Sequence, residues 1–153
     1  MSAFFDYPTG AAQSSHATGE TISILADCSE REWAVLHSHC ALERLRKGEP
    51  LVREGEADRS LYVVLSGAFG VQTPGGGTRA PMQPGEVIGE IAFFDGRPRS
   101  SSVVAIADSE VLHLSLPAFE SLAAAEPALA RRLLMDLGRA LAGRLRAIEA
   151  AAR

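Results

Sequence analysis

Between Glu49 and Glu90 the chain reads EPLVREGEADRSLYVVLSGAFGVQTPGGGTRAPMQPGEVIGE, a series of short apolar or alternating runs broken every several residues by Gly, Pro or Asp. Runs this short do not sustain helical periodicity, and the breaks supply turns at strand spacing, so the pattern predicts a small β-barrel or jelly roll. TPGGGT, at 73–78, offers the positive φ of a hairpin turn through its glycines. Farther on, SSVVAIAD and EVLHLS read as two more strands joined at Asp108 and Ser109. Helical signals flank this region. Ser29 with Glu32 three residues on forms a capping box, and Trp33, Leu36 and Cys40 follow at helical spacing, which predicts a helix to about Cys40. From Leu116 the composition turns to Ala, Leu, Arg and Glu, with Pro117 and Pro127 placed as first-turn residues of two successive helices. The second would run to the C-terminus over roughly 40 Å at 1.5 Å per residue. The expected fold is mainly β with flanking helices, a β jelly-roll barrel with an N-terminal helix and C-terminal helices.

Several function classes are disfavoured at this point. A length of 153 residues suits one domain with a sizeable core. It is expected to divide into an arm over 1–21, a jelly-roll domain over 22–126 and an amphipathic helix over 127–153. No segment approaches 18 uncharged apolar residues, and the N-terminus lacks a basic stretch leading into an apolar run, so neither a membrane span nor an export signal is expected. Two cysteines, Cys28 and Cys40, without a framework of spaced pairs suit a reducing cytoplasm. His37 and His39, two apart on a helix, face different ways and do not share a metal ion, and His113 stands alone in its strand. No metal is expected. No nucleophile stands beside a general base, so the chain is not expected to be an enzyme.

The segment IGEIAFFDGRPRSSSVV, Ile88 to Val104, carries the candidate chemistry. A short helical turn starting at Glu90 leaves unpaired backbone N–H groups at its beginning, which favour an anion. Arg99 adds a permanent fork of donors, and the hydroxyls of Ser100 and Ser101 can donate to the same oxygens. Glu90, acceptor-only when ionised, suits a neighbouring sugar hydroxyl. A ligand with both a phosphate and a ribose hydroxyl meets all of these requirements together.

GEIAFFDGRPRSSSV resembles the phosphate-binding cassette of the cyclic nucleotide-binding domain family, of the catabolite activator protein and protein kinase A regulatory subunit type. Gly55 and Gly67 in VREGEADRSLYVVLSGAFGV and the QPGEVIGE lead-in stand where that family places its turn glycines, and the resemblance spans about Leu25 to Leu145. It implies that Glu90 holds the ribose 2′-hydroxyl and Arg99 the cyclic phosphate. Gly89, Ile91 and Ala92 would approach through their backbones, and Ser100 and Ser101 would touch phosphate oxygens or the base. The residue before the glycine, often aromatic in the family, is Ile88 here. From Leu122 to Arg153 there is no Ser or Thr hydroxyl to read a base, so the ligand implied is cAMP or cGMP without a choice between them. The function implied is a stand-alone sensor or regulatory domain, without a helix-turn-helix, that relays nucleotide binding to an effector protein. The rival reading is a ligand-independent scaffold or protein-interaction module with the same fold.

The C-terminal helix carries a second pattern. Leu134, Leu141 and Ile148 recur every seven residues with Leu137 and Leu145 beside them, and Arg132, Arg139, Arg146 and Arg153 recur at the same interval on the opposite side. This predicts a homodimer seam made of the leucine row. Residues 127–153 hold six arginines against Asp136 and Glu149, net +4 in a chain of overall charge −4, so the remainder carries −8. Specific binding to DNA is not expected from a single basic helix on an acidic body.

Overall fold

A computed structural model describes residues 24–72 and 81–152; the predicted arm over 1–21 and the TPGGGT turn lie outside the described residues. Helix α1, Glu30–His39, starts at the capping box, where Ser29 Oγ accepts from Glu32 N and Glu32 Oε1 accepts from Ser29 N, each at 3.1 Å. The ALERL segment directly after it has no punctuation of its own and forms strand β1, Ala41–Leu45. The punctuated stretch then gives β2 (Pro50–Val52), β3 (Leu61–Ser66), β4 (Phe69–Gln72) and β5 (Val87–Ile88). Helix α2, Glu90–Asp95, is followed by β6 (Ser102–Ala105), β7 (Ser109–Leu114), α3 (Leu116–Ala125) and α4 (Pro127–Ala151). Pro117 and Pro127 both lie in first turns, and Ser115 caps α3 by accepting from Ala118 N at 3.2 Å.

The strands form two antiparallel sheets, ordered β1-β7-β3-β5 and β2-β6-β4, the jelly-roll arrangement. Side chains alternate across a strand, so β3 serves two cores at once. Leu61 and Val63, with Leu112 and Leu114 of β7, face the helices and pack with Leu36, Leu122, Leu129, Leu133 and Leu137. Tyr62 and Val64 face the other way and join Val52, Phe69, Val71, Val103, Ala105 and Val111 between the sheets. A strand buried on both faces requires an unbroken apolar run, which LYVVL provides. Gly67 makes the turn from β3 to β4 at φ +81°, where a Cβ would stand 2.1 Å from Ser109 Oγ, so only glycine fits there.

Helix α4 corrects one expectation. Leu137, assigned by its spacing to a dimer seam, is 0% exposed within its own domain, while Leu145 and Ile148 are 57% and 58% exposed. The buried stripe is instead Leu129, Ala130, Leu133 and Leu137, and Arg132 turns to pair with Glu32 of α1 at 2.5 Å. The seven-residue repeat does not separate these surfaces. A core-facing stripe on a helix is wider than one heptad row, so the repeat crosses from core to solvent as the helix leaves the domain.

Candidate ligand-binding site

The site is built where β5 turns into α2. Gly89 makes this turn at φ +89°, and a Cβ there would stand 2.4 Å from Arg99 Nη1 and 3.0 Å from the Ser60 carbonyl. The missing side chain lets the Arg99 guanidinium lie against the turn. Arg99 Nη1 donates to the Gly89 carbonyl at 3.0 Å, and Nη2 donates to the Ser60 carbonyl at 2.6 Å and to Asp58 Oδ2 at 3.1 Å. The residue is 4% exposed, and its Nε has no hydrogen-bond partner among the described residues. A buried guanidinium donor without an acceptor is costly, and an anion entering the cleft is one way to satisfy it. Backbone pairing between Arg99 and the loop after β2 fixes the segment further, through Gly55 N to Arg99 O and Arg99 N to Glu56 O, both at 2.9 Å.

Asp58 supports this arginine. Burial pushes its carboxyl up, but hydrogen bonds from Ser60 and Arg99 outweigh that and hold it below the usual carboxylate range. A depressed folded-state value stabilises the protein above the unfolded value, and the contribution disappears as pH falls through the folded one. Because the Asp58 side chain is 36% exposed, that contribution is under about 1 kcal/mol. At the far end of α2, Arg59 donates to the Phe93 carbonyl through Nε at 3.2 Å and Nη2 at 2.8 Å, satisfying an otherwise orphan helix-end acceptor.

Glu90 opens α2 and is 3% exposed. Its Oε1 accepts from Nη1 of Arg144 on α4, and Arg144 Nη2 also donates to the Val87 carbonyl at 3.1 Å. Glu90 and Arg99 thus take separate protein partners. Between them opens a cleft whose empty space, counting that open to solvent, is about 560 Å³. Val52, Val71, Met82, Val87, Ile88 and Val103 form its apolar wall; Gly89 to Ala92, Pro98 to Ser101 and Arg144 form the rest. All seven residues singled out in the sequence, Gly89, Glu90, Ile91, Ala92, Arg99, Ser100 and Ser101, therefore line one cleft. Ala92 is buried, Ser101 half-buried, and Ile91 and Ser100 are exposed, while Arg97 points to solvent.

Residues 42–126 match the family model of the cyclic nucleotide-binding domain. The chain belongs to this family. The cyclic AMP receptor protein of Thermus thermophilus is 35% identical over 99 residues, which cover 62% of this chain and 46% of the relative. The cAMP-dependent protein kinase regulatory subunit of Debaryomyces hansenii is 29% identical over 85 residues, 56% of this chain and 19% of the relative. The crystal structure of a cyclic nucleotide-binding domain from Methylobacillus flagellatus superposes with a TM-score of 0.71 at 31% identity, covering 82% of this chain and 72% of that one. The chain spans less than half the length of these two curated relatives.

Three partners of the two charged residues in this cyclic nucleotide-binding domain's cassette were missed in the sequence: Asp58 and the Ser60 carbonyl, which hold Arg99, and Arg144, which holds Glu90. The first two lie some forty residues from Arg99, and nothing local marks them as its partners. Arg144 did carry a signal. It stands seven residues after Leu137, on the face that Ala130, Leu133 and Leu137 bury, and a charge on an apolar face needs a partner. Outside the pocket, His113 Nδ1 lies 2.7 Å from Glu43 and its ring stacks on Tyr62, while His37 packs edge-on against Trp33. Burial pushes the half-buried Cys40 thiol up to about 12, making it a poor nucleophile. Among the described residues no cluster of three His, Cys, Asp or Glu is placed to hold a metal, and no helix is long and apolar enough to cross a membrane.

Proposed function

We propose that this domain binds a cyclic nucleotide monophosphate, cAMP or cGMP, and relays the bound state to a protein partner through its C-terminal helix. The observation that carries the proposal is the presence, in one cleft, of a buried acceptor-only Glu90 and a buried Arg99 whose Nε has no partner among the described residues. Glu90 takes the ribose 2′-hydroxyl. Arg99, with the backbones of Gly89, Ile91 and Ala92 and the hydroxyls of Ser100 and Ser101, takes the cyclic phosphate. The apolar wall takes the base. Ligand binding then shifts the population of α4 positions, and the altered helix surface is what an effector reads in the cytoplasm. The role is regulatory, in keeping with a relative named as a cyclic AMP receptor protein. Titration of the protein with cAMP, cGMP and cyclic dinucleotides by calorimetry tests this: saturable binding of a mononucleotide is expected, and no heat at millimolar nucleotide overturns it.

One observation favours the scaffold reading instead. Arg99 is held by three protein acceptors and Glu90 by Arg144, so the cleft is internally bonded without a ligand. A null titration would point that way. For assembly, the proposal is a homodimer through the outward face of α4, where Leu134, Leu145 and Ile148 are exposed and Leu141 is half-buried. Leu145→Glu should convert dimer to monomer in light scattering at tens of micromolar while the β-rich circular dichroism persists, since a charge inside such a seam is costly. A wild type that is already monomeric rules the seam out.

A further inference from the structure

Helix α4 has a third row of side chains besides its buried stripe and its leucines. At about 100° per residue, Arg131, Met135, Arg139, Ala142 and Arg146 fall on one line, roughly opposite the buried stripe and clear of Leu134, Leu141 and Ile148. All five are exposed, and Met135, of a residue type usually found inside, is 57% exposed. The row also carries more positive charge than the protein neutralises. Arg132 and Arg144, nearer the body of the domain, are paired with Glu32 and Glu90. Arg139 has Asp136 only at 3.7 Å, and that carboxylate turns inward to accept from Leu25 N. Arg131 and Arg146 have no ion-pair partner among the described residues, and Glu149, a turn beyond Arg146, is the one described carboxylate on this side of the helix.

We propose that this row is the docking surface for an acidic amphipathic helix of a partner protein, which sets carboxylates against Arg131, Arg139 and Arg146 and apolar side chains against Met135 and Ala142. That the partner is the effector rests on the reading of α4 as the relay surface; the charge and shape of the row do not depend on a nucleotide. The five residues run for ~22 Å along the axis at 1.5 Å per residue, in steps of three and four, so a helix laid alongside meets all of them with a single row of its own. Ala142 lets the two axes come within the ~8–10 Å of packed helices, and the flexible thioether of Met135 fits itself to the apolar groups opposite. An anionic lipid surface suits the row less. A helix lying on lipid inserts a continuous apolar arc with its basic residues at the margin, whereas Met135 is the one large apolar side chain here and stands between two arginines. A second copy of the same row is excluded as occupant, because it would set arginine against arginine.

The test uses the full chain and fluorescence anisotropy of a labelled synthetic peptide of about 20 residues, long enough to hold a helix on its own, with glutamates and leucines in one row matched to the five positions. A control peptide has the same composition with its glutamates scattered around the helix. Vesicles of phosphatidylcholine with phosphatidylserine, and a DNA duplex, probe the other anionic partners. The matched peptide should bind about tenfold tighter than the scattered one, the combined effect of three exposed ion pairs, and should weaken as salt rises. The triple variant Arg131→Glu, Arg139→Glu, Arg146→Glu should lose this binding while its circular dichroism stays that of wild type, since all three side chains are exposed. Ile148→Ala, in the leucine row, should keep it. Equal binding of the two peptides overturns the proposal, because the row is then a positive charge without a pattern, and so does matched-peptide binding that survives in the triple variant. Retention on vesicles or on the duplex without binding of the matched peptide overturns it in favour of lipid or nucleic acid. A matched peptide that binds while cAMP and cGMP give no heat keeps the docking surface and overturns only the nucleotide reading; nucleotide binding without peptide binding does the reverse.

Discussion

Arg99→Ala is expected to weaken cAMP or cGMP binding by roughly tenfold to a hundredfold, the effect of losing a charged hydrogen-bond partner worth about 1.5 to 3 kcal/mol. In the unliganded protein the same change leaves the Ser60 and Gly89 carbonyls and Asp58 without the guanidinium that bonds them, so it should also lower the melting temperature. Arg99→Lys separates the two effects. A lysine keeps the charge but has no planar fork with which to reach Gly89, Ser60 and Asp58 together, so it should recover part of the affinity and little of the lost stability. Calorimetry and thermal melts on the three proteins read this directly. If Arg99→Ala binds nucleotide as tightly as wild type while remaining folded, Arg99 is a structural strut of the turn and the phosphate goes elsewhere.

The second large effect lies on α4. Leu137→Ala should cost about 2 to 5 kcal/mol in urea unfolding, as expected for emptying a fully buried leucine site. Ile148→Ala, three turns along the same helix and 58% exposed, should stay within about 0.5 kcal/mol. Both residues belong to the apolar set from which the seven-residue pattern predicts a seam, so the contrast separates the surface that holds the domain together from the surface available to a second copy. Comparable losses at the two positions would mean that the distal helix packs on the domain after all.

Local signals were legible wherever a few consecutive residues carry the physics. The Ser29 and Glu32 capping box, the first-turn prolines of α3 and α4, the turn at Gly67 and the strand run LYVVL each determine their own backbone, because caps, φ restrictions and alternation act over one to six residues. The cassette was legible for a similar reason. Glu90 to Arg99 is one turn, one short helix and one loop, and the resemblance of its residue pattern carried its chemistry as an expectation. The tertiary structure decided what those charges touch. Arg99 meets Asp58 and Ser60 because β3 pairs antiparallel with β5, which sets the loop before β3 beside the Gly89 turn, and Glu90 meets Arg144 because α4 folds back over the cleft from more than fifty residues away. Spacing along a chain does not encode such meetings, since they depend on strand order and helix direction. The division of α4 into a buried half and an exposed half has the same origin: the leucines repeat along the whole helix, and the point where burial ends, at Leu137, is set by where the body of the domain ends.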